Sequence, residues 1–372
     1  MRNISIYIHI PFCLKRCKYC DFYSIEVKKN EEYFESFING LEKEINLRLN
    51  KMNNFKVKSI YFGGGTPSII HESFYERIFN KFNNYFDISN VKEITIEANP
   101  ETVETSKFSN LKKLGVNRVS LGVQTFEDSS LSNLGRIHNT KKIYESVDIL
   151  KKFYENINID LIFGIPNENS ENIEKNIFKA LNLKPKHISI YNLEYHKDTK
   201  LFEDLNIRKI YKWNDIKEKK GYILLRNILI QNGFNHYEIS NFSVDGFQSI
   251  HNINYWLGGE YLGFGPSAYS FLDNSWYKNG NLFFYLNSLK KNEVPFLKRE
   301  VLSLNKLNKT LFILNLRLLS GVNLKKYKNL DHFFYEKLNN FIKEGLLIKS
   351  DNKIKLSLNG ILVGNRIFSD LL

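Results

Sequence analysis

Cys13, Cys17 and Cys20 are the only cysteines in the chain, and they fall within eight positions as C-x3-C-x2-C. Three thiolates on one short loop can each take one iron of a [4Fe-4S] cube. Such cubes are usually held by four cysteines, and no fourth is present. One iron would then stay open to an exogenous ligand, and an open Lewis-acidic iron can chelate the amino and carboxylate groups of S-adenosylmethionine. Electron transfer into the sulfonium breaks a C–S bond and releases a deoxyadenosyl radical, so the demanding chemistry would belong to the cofactors. No residue of the chain itself is assigned a catalytic role. Other uses of the thiols fit less well. A structural zinc site needs four ligands, with His9 or Asp21 completing the set. A disulfide leaves an odd thiol and needs an oxidising compartment. A chance cluster of buried cysteines does not explain why all three follow a strand pattern.

Other polar residues recur where strands end. The run Gly63-Gly64-Gly65-Thr66-Pro67 permits close backbone approach, and its exposed N–H groups could bind the amino-acid end of a nucleotide cofactor; an ordinary tight turn is the alternative. Glu97, in Glu97-Ala98-Asn99-Pro100, can accept hydrogen bonds from an amine or from ribose hydroxyls, and Gln124 can do the same from the next strand. Arg136, in Leu134-Gly135-Arg136-Ile137-His138, offers a guanidinium suited to bidentate pairing with a carboxylate. Asp160 sits in the apolar run Ile159-Asp160-Leu161-Ile162-Phe163. A buried aspartate needs a partner, and ribose hydroxyls are one option. A salt bridge or a helix cap would explain each of these alone; their recurrence on one rim favours a site.

The elements that must hold them alternate. Residues 4–10 alternate apolar and polar side chains and read as a strand; residues 31–50 carry Phe34, Phe37, Ile38, Leu41, Ile45 and Leu49 at helical spacing. The unit recurs with strands over 57–62, 91–97, 118–124, 157–163 and 187–193. Helices follow over 71–83, 104–114, 139–154, 170–183 and 211–232. Six strand–helix units predict an α/β fold with a parallel sheet and helices outside. Chemistry at the C-terminal strand ends favours a barrel rim, and six units rather than eight predict an incomplete (β/α)6 TIM-like barrel open on one side. This core is expected over 1–235. Residues 236–299, rich in Gly, Asn and aromatics with little helical period, read as a connecting region. Residues 300–372 read as a small α+β domain with two helices and a hairpin, winged-helix-like.

The formal charge of +13 admits a polyanionic partner, but lysine and asparagine are spread throughout, so no nucleic-acid surface is expected. Apolar content of 42% is ample for a core. No charged-then-apolar leader opens the chain, and no run approaches the ~18 to 20 apolar residues that span a bilayer. A cytoplasmic protein is expected, with peripheral membrane contact and homodimer formation left open. Phosphate-loop, zinc-protease and nucleophile-elbow patterns do not occur.

The cysteine spacing resembles the signature of the radical S-adenosylmethionine superfamily. Taken with residues 7–13, 63–68, 97–100, 160–166 and Tyr237-Glu238-Ile239-Ser240-Asn241-Phe242, it resembles the oxygen-independent coproporphyrinogen III oxidase family from about residue 4 to the end. By that resemblance Tyr7, Tyr19, Gly64, Gly65, Thr66, Glu97, Gln124, Arg136 and Asp160 would contact S-adenosylmethionine. Two departures from the true oxidases stand out: Phe22 occupies the place of a further cysteine, and Tyr7 lies almost at the start. Both match the HemW-type heme chaperone branch, as does His251-Asn252-Ile253-Asn254-Tyr255-Trp256, which resembles that branch's H-N-x-x-Y-W heme motif. The resemblance implies a chaperone that binds heme and delivers it to apo-hemoproteins, respiratory ones foremost. Oxidative decarboxylation of two coproporphyrinogen III propionates to vinyl groups is the alternative, and a radical tRNA-modifying enzyme a third. His251 is either a hydrogen-bonded structural residue or a heme-iron ligand. His9 and His138 are expected to position the cysteine loop and the arginine segment.

Overall fold

Ile4, Ile6, Ile8 and Ile10 point to one face of the strand Arg2–Ile10, and Ser5, Tyr7 and His9 to the other. Register carries the same alternation across the sheet: Ser5 lies beside Ser59, Tyr7 beside Tyr61, Glu97 beside Ser120, and Gly122 beside Asp160. Parallel strands covered on both faces ordinarily read as unbroken apolar runs. Here one face is Ile/Val/Leu-rich beneath the helices, and the other is polar and buried.

A computed structural model describes residues 2–27, 33–327 and 330–372. Its six strand–helix units place parallel strands at Arg2–Ile10, Phe55–Gly64, Glu93–Ala98, Arg118–Gln124, Asn156–Phe163 and His187–Asn192, adjacent in that order. Helices Tyr33–Leu49, Glu72–Asn83, Thr105–Lys113, Thr140–Lys151, Ser170–Asn182 and Asp215–Gln231 follow them. Residues 31 and 32 of the first expected helix lie outside the described residues. The last helix starts at Asp215 rather than 211, where Asn214 caps it by accepting from Lys217 N–H.

Residues 236–299 carry regular structure that periodicity does not reveal. Glu260–Phe264 pairs in parallel with the free edge of Arg2–Ile10 and makes a seventh parallel strand. Tyr269–Leu272, Ser275–Asn279 and Phe296–Val301 extend that edge in antiparallel fashion, and Asn241–Ser243 with Asn235–Glu238 extends the other, for a twelve-stranded sheet. These strands run three to six residues, too short for a pattern to stand out. Beyond them, Leu304–Leu316, His332–Lys343 and the hairpin Leu347–Ser350/Lys353–Leu356 enclose a core of their own, built on Phe312, Leu316, Phe334, Leu338, Phe341 and Ile354. Among the described residues no helix is long and apolar enough to cross a membrane.

The polar face is closed from below by the helix Ile250–Trp256. Glu93 accepts from Ile250 N at 2.8 Å, His251 N at 3.0 Å and Ser249 Oγ at 3.3 Å. Arg118, 1% exposed, lies in the field of Glu93, Tyr61, Tyr237 and Asp160. Removing one partner from such a set leaves a buried charge without compensation, at a cost of about 3–5 kcal/mol. Glu93→Ala is therefore expected to destabilise the protein by that order in denaturant unfolding and to lose hydrogen-exchange protection at Ile250 and His251; full protection there would show that Glu93 does not hold the helix.

Candidate functional site

A loop carrying three thiols has little structure of its own, and this one is stitched down from several sides. Gly65 N donates to Ile10 O at 2.8 Å and Thr66 N to Phe12 O at 2.7 Å. Val27 N bonds Cys13 O, Lys18 N bonds Leu134 O, and Leu201 N bonds Lys18 O. His9 Nε2 lies 2.8 Å from Tyr23 O, so His9 does position the loop. Cys13 is buried, while Cys17 and Cys20 are half-buried at the C-terminal rim. Burial pushes the Cys13 thiol up and the Cys20 thiol up to about 11; bound iron would offset that by deprotonating them. Among the described residues no three His, Cys, Asp or Glu side chains converge on a single-ion site, and thiols that each take a different iron of a cube need not converge.

The glycine run works differently from the expectation. The N–H groups of Gly64, Gly65 and Thr66 are engaged internally, with Glu97 Oε2, Ile10 O and Phe12 O. They are not free donors for a cofactor, and any contact they make to one goes through carbonyls or Cα faces. What the glycines supply is room. Gly64 takes φ +113°, and a Cβ there would come within 2.7 Å of the His9 ring; a Cβ on Gly65 would come within 2.5 Å of Phe12 O.

The remaining candidates gather on the polar face just above. Tyr61 Oη donates to Glu97 Oε1 at 2.8 Å, and burial pushes the Glu97 carboxyl up to about 7, with Asp160 adding to the effect. Asp160, half-buried, accepts from Ser120 Oγ at 2.9 Å and Asn158 Nδ2 at 2.8 Å, so the chain itself supplies partners for its carboxyl. Gln124 closes its strand in a left-handed conformation, φ 69°. Tyr7 Oη lies 3.0 Å from His9 Nδ1, and Tyr19 is half-buried beside Arg136 and Cys17. Arg136 Nη1 donates to Cys17 Sγ at 3.3 Å and Nη2 to Gly122 O at 2.8 Å. Its Nε is buried with no partner among the described residues. A buried, unsatisfied guanidinium N–H next to a cysteine loop fits a ligand carboxylate, and a carboxyl poised near neutrality fits a ligand amine. His138 Nδ1 lies 3.0 Å from Glu101 Oε2 in the segment that follows Arg136.

His251 lies deeper. It is 1% exposed, packed against the Tyr61 ring at 5.0 Å and the Tyr7 ring at 6.5 Å. Nδ1 is 2.9 Å from Ser59 Oγ and Nε2 is 2.9 Å from Tyr255 Oη. Burial lowers its pKa to about 3, so the ring is neutral, as an iron ligand must be, but neither nitrogen is free in this arrangement.

A profile of the Radical SAM superfamily matches residues 7–180. The heme chaperone HemW of Bacillus subtilis is 32% identical over 99% of this chain and 99% of its own length. The heme chaperone HemW of Lactococcus lactis is 35% identical over 99% and 97%. The chain belongs to the HemW family of radical SAM proteins. The crystal structure of the Escherichia coli coproporphyrinogen III oxidase HemN superposes with a TM-score of 0.86 over 100% of this chain and 90% of that one, at 21% identity, and so shares the fold.

Around this candidate site, the sequence pattern did not single out several residues that the geometry brings in. Tyr61 holds Glu97, Gly122 makes room beside Arg136, and Glu101 holds His138. The signal was present in the polar alternation: Tyr61, Glu97 and Gly122 all share the face of Tyr7. Asn99 is the fourth omission, and it had no such signal. The Glu97 carboxyl carries a pH prediction. Its pKa is raised, so a cationic amine bound to it is held fully above about pH 7 and progressively less below. S-adenosylmethionine affinity of anaerobically reconstituted protein should fall by up to about tenfold per unit below that pH. Glu97→Gln should bind weakly at all pH values; a pH-independent wild type in calorimetric titrations would remove Glu97 from the amine site.

Proposed function

We propose that the chain is a heme chaperone that holds a [4Fe-4S] cluster on Cys13, Cys17 and Cys20 and S-adenosylmethionine on the rim above. In this reading Glu97 takes the ligand's amine and Arg136 its carboxylate through the unsatisfied Nε. Tyr7, Tyr19, Gly64, Gly65, Thr66, Gln124 and Asp160 line the remainder. When bound, the cluster supplies electrons to the sulfonium; the residues of the chain bind, orient and exclude water. Heme is taken up with His251 as an iron ligand and passed to apo-hemoproteins, respiratory ones foremost. The observation that carries the reading is the full-length match to heme chaperones, joined to a stitched three-thiol loop with an unsatisfied Arg136 N–H beside it.

Phe22 supports the chaperone over the oxidase. It follows the third cysteine by two residues and is 64% exposed, an apolar side chain where a further thiol would belong in the oxidases. Anaerobic incubation with coproporphyrinogen III, reductant and S-adenosylmethionine should give no protoporphyrinogen; robust turnover would make the chain an oxidase.

Heme ligation through Nε2 requires His251 to give up Tyr255, while Nδ1 can keep Ser59, which sets up a two-variant comparison. Hemin titrations should show a bound spectrum that weakens or changes in His251→Ala and tightens in Tyr255→Phe, which frees Nε2. A spectrum and affinity untouched by His251→Ala would take His251 out of the heme site. A Cys13→Ala, Cys17→Ala, Cys20→Ala triple variant should lose iron and sulfide together after reconstitution; retention of both would place the cluster elsewhere.

A further inference from the structure

Two of the three cluster thiols receive a hydrogen bond from outside their loop, and one side chain joins the two donors. Arg136 Nη1 reaches Cys17 Sγ at 3.3 Å, and Thr66 Oγ1 reaches Cys13 Sγ at 3.6 Å. Between them sits Asn99. Its Oδ1 accepts from Arg136 Nη2 at 2.5 Å, and its Nδ2 donates to Thr66 Oγ1 at 3.0 Å.

The chemistry of the groups fixes the direction of this chain. A guanidinium only donates, so the amide must turn its oxygen to Arg136. Its NH2 then faces Thr66, whose hydroxyl must accept. A hydroxyl that accepts from one side has its single proton left for the other, and on that side lies Cys13. A flipped amide would set donor against donor at Arg136, which the network forbids. The surroundings enforce the placement. A Cβ at Gly122 would come within 2.7 Å of Asn99 Oδ1 and 3.2 Å of Arg136 Nη2, so only glycine leaves room for the pair. Thr66 is 4% exposed, which keeps water from substituting for the amide.

We propose that Asn99 is a positioning residue for the cluster, aiming Arg136 at the Cys17 sulfur and Thr66 at the Cys13 sulfur. This rests on the reading that the three cysteines hold a [4Fe-4S] cluster. Hydrogen bonds to cluster sulfurs are among the factors that set a reduction potential, and donors to sulfur stabilise the more negative, reduced form. Outer-shell partners also orient ligands and typically contribute 10–100-fold to metal retention. Asn99 therefore raises the potential of the cluster and slows its loss, without touching it.

The test uses the full chain, reconstituted anaerobically, with three measurements: iron and sulfide content, midpoint potential by EPR-monitored titration, and the rate of bleaching by an iron chelator. Asn99→Ala should shift the potential to more negative values and lose cluster about 10-fold faster or more. Asn99→Asp keeps the oxygen that Arg136 needs but lacks the donor to Thr66, so it should fall between wild type and Asn99→Ala. Thr66→Val, which removes the Cys13 bond and the acceptor for Asn99 Nδ2 but leaves Arg136 its partner, should resemble it. If Asn99→Ala does not fold, Asn99→Asp carries the comparison. A wild-type potential and bleaching rate in Asn99→Asp and Thr66→Val would overturn the proposal and leave the cluster assignment intact. A wild-type protein that takes up neither iron nor sulfide would overturn the assignment itself.

Discussion

Glu93, Asn158 and His187 are buried on the inward face of the sheet with half-buried Asp160 beside them, and they must find their hydrogen bonds within the protein. Unsatisfied, each would cost more than a typical hydrogen bond contributes. His187 bonds Asn158 through Nδ1 and Tyr237 through Nε2; Asn158 bonds Ser120, Asp160 and Ser189. Glu93 reaches across to the amides at the start of the helix Ile250–Trp256. The network thus draws residues from six separate stretches of chain to one place. Its upper layer, Tyr7, Tyr61 and Glu97, becomes the floor of the candidate site.

The cysteine loop illustrates the reverse dependence, of a local segment on distant backbone. Pro11 to Val27 has almost no regular structure beyond the two-residue pairing of Phe12–Cys13 with Ile25–Glu26. Its geometry comes from amides and carbonyls at residues 65, 66, 134 and 201. Close approach between backbones is what the glycines permit, and a side chain at 64 or 65 would push the loop off its seat. Gly135, with φ +80°, plays the same part from the far side, where a Cβ would come within 3.2 Å of Lys18 N.

His251 ties the two halves of the proposed function together. Its ring rests on Tyr61, whose hydroxyl holds Glu97, and near Tyr7, whose hydroxyl meets His9 and through it the cysteine loop. A histidine that leaves this position to meet an iron would remove packing from beneath the residues assigned to the nucleotide cofactor. The proposed heme ligand and the rim share one wall.

The chemistry was legible in the sequence because it depends on residue type and local spacing. Three cysteines in eight positions, strands that alternate isoleucine with serine, tyrosine and histidine, and the polar residues at strand ends all act over a few residues. They pointed to the parallel sheet, its rim and the family. What tertiary structure alone decided involves partners far apart in sequence. The strand Glu260–Phe264 joins the edge of Arg2–Ile10 across some 250 positions. The glycine amides turn inward because the loop needs them, and Asp160 is satisfied by Ser120 and Asn158. Asn99 meets Arg136 and Thr66 only because three strand ends converge, and His251 is enclosed by hydroxyls at positions 59 and 255. Spacing specifies which groups a segment can present; only the closed packing of the sheet determines which of them remain free for a ligand.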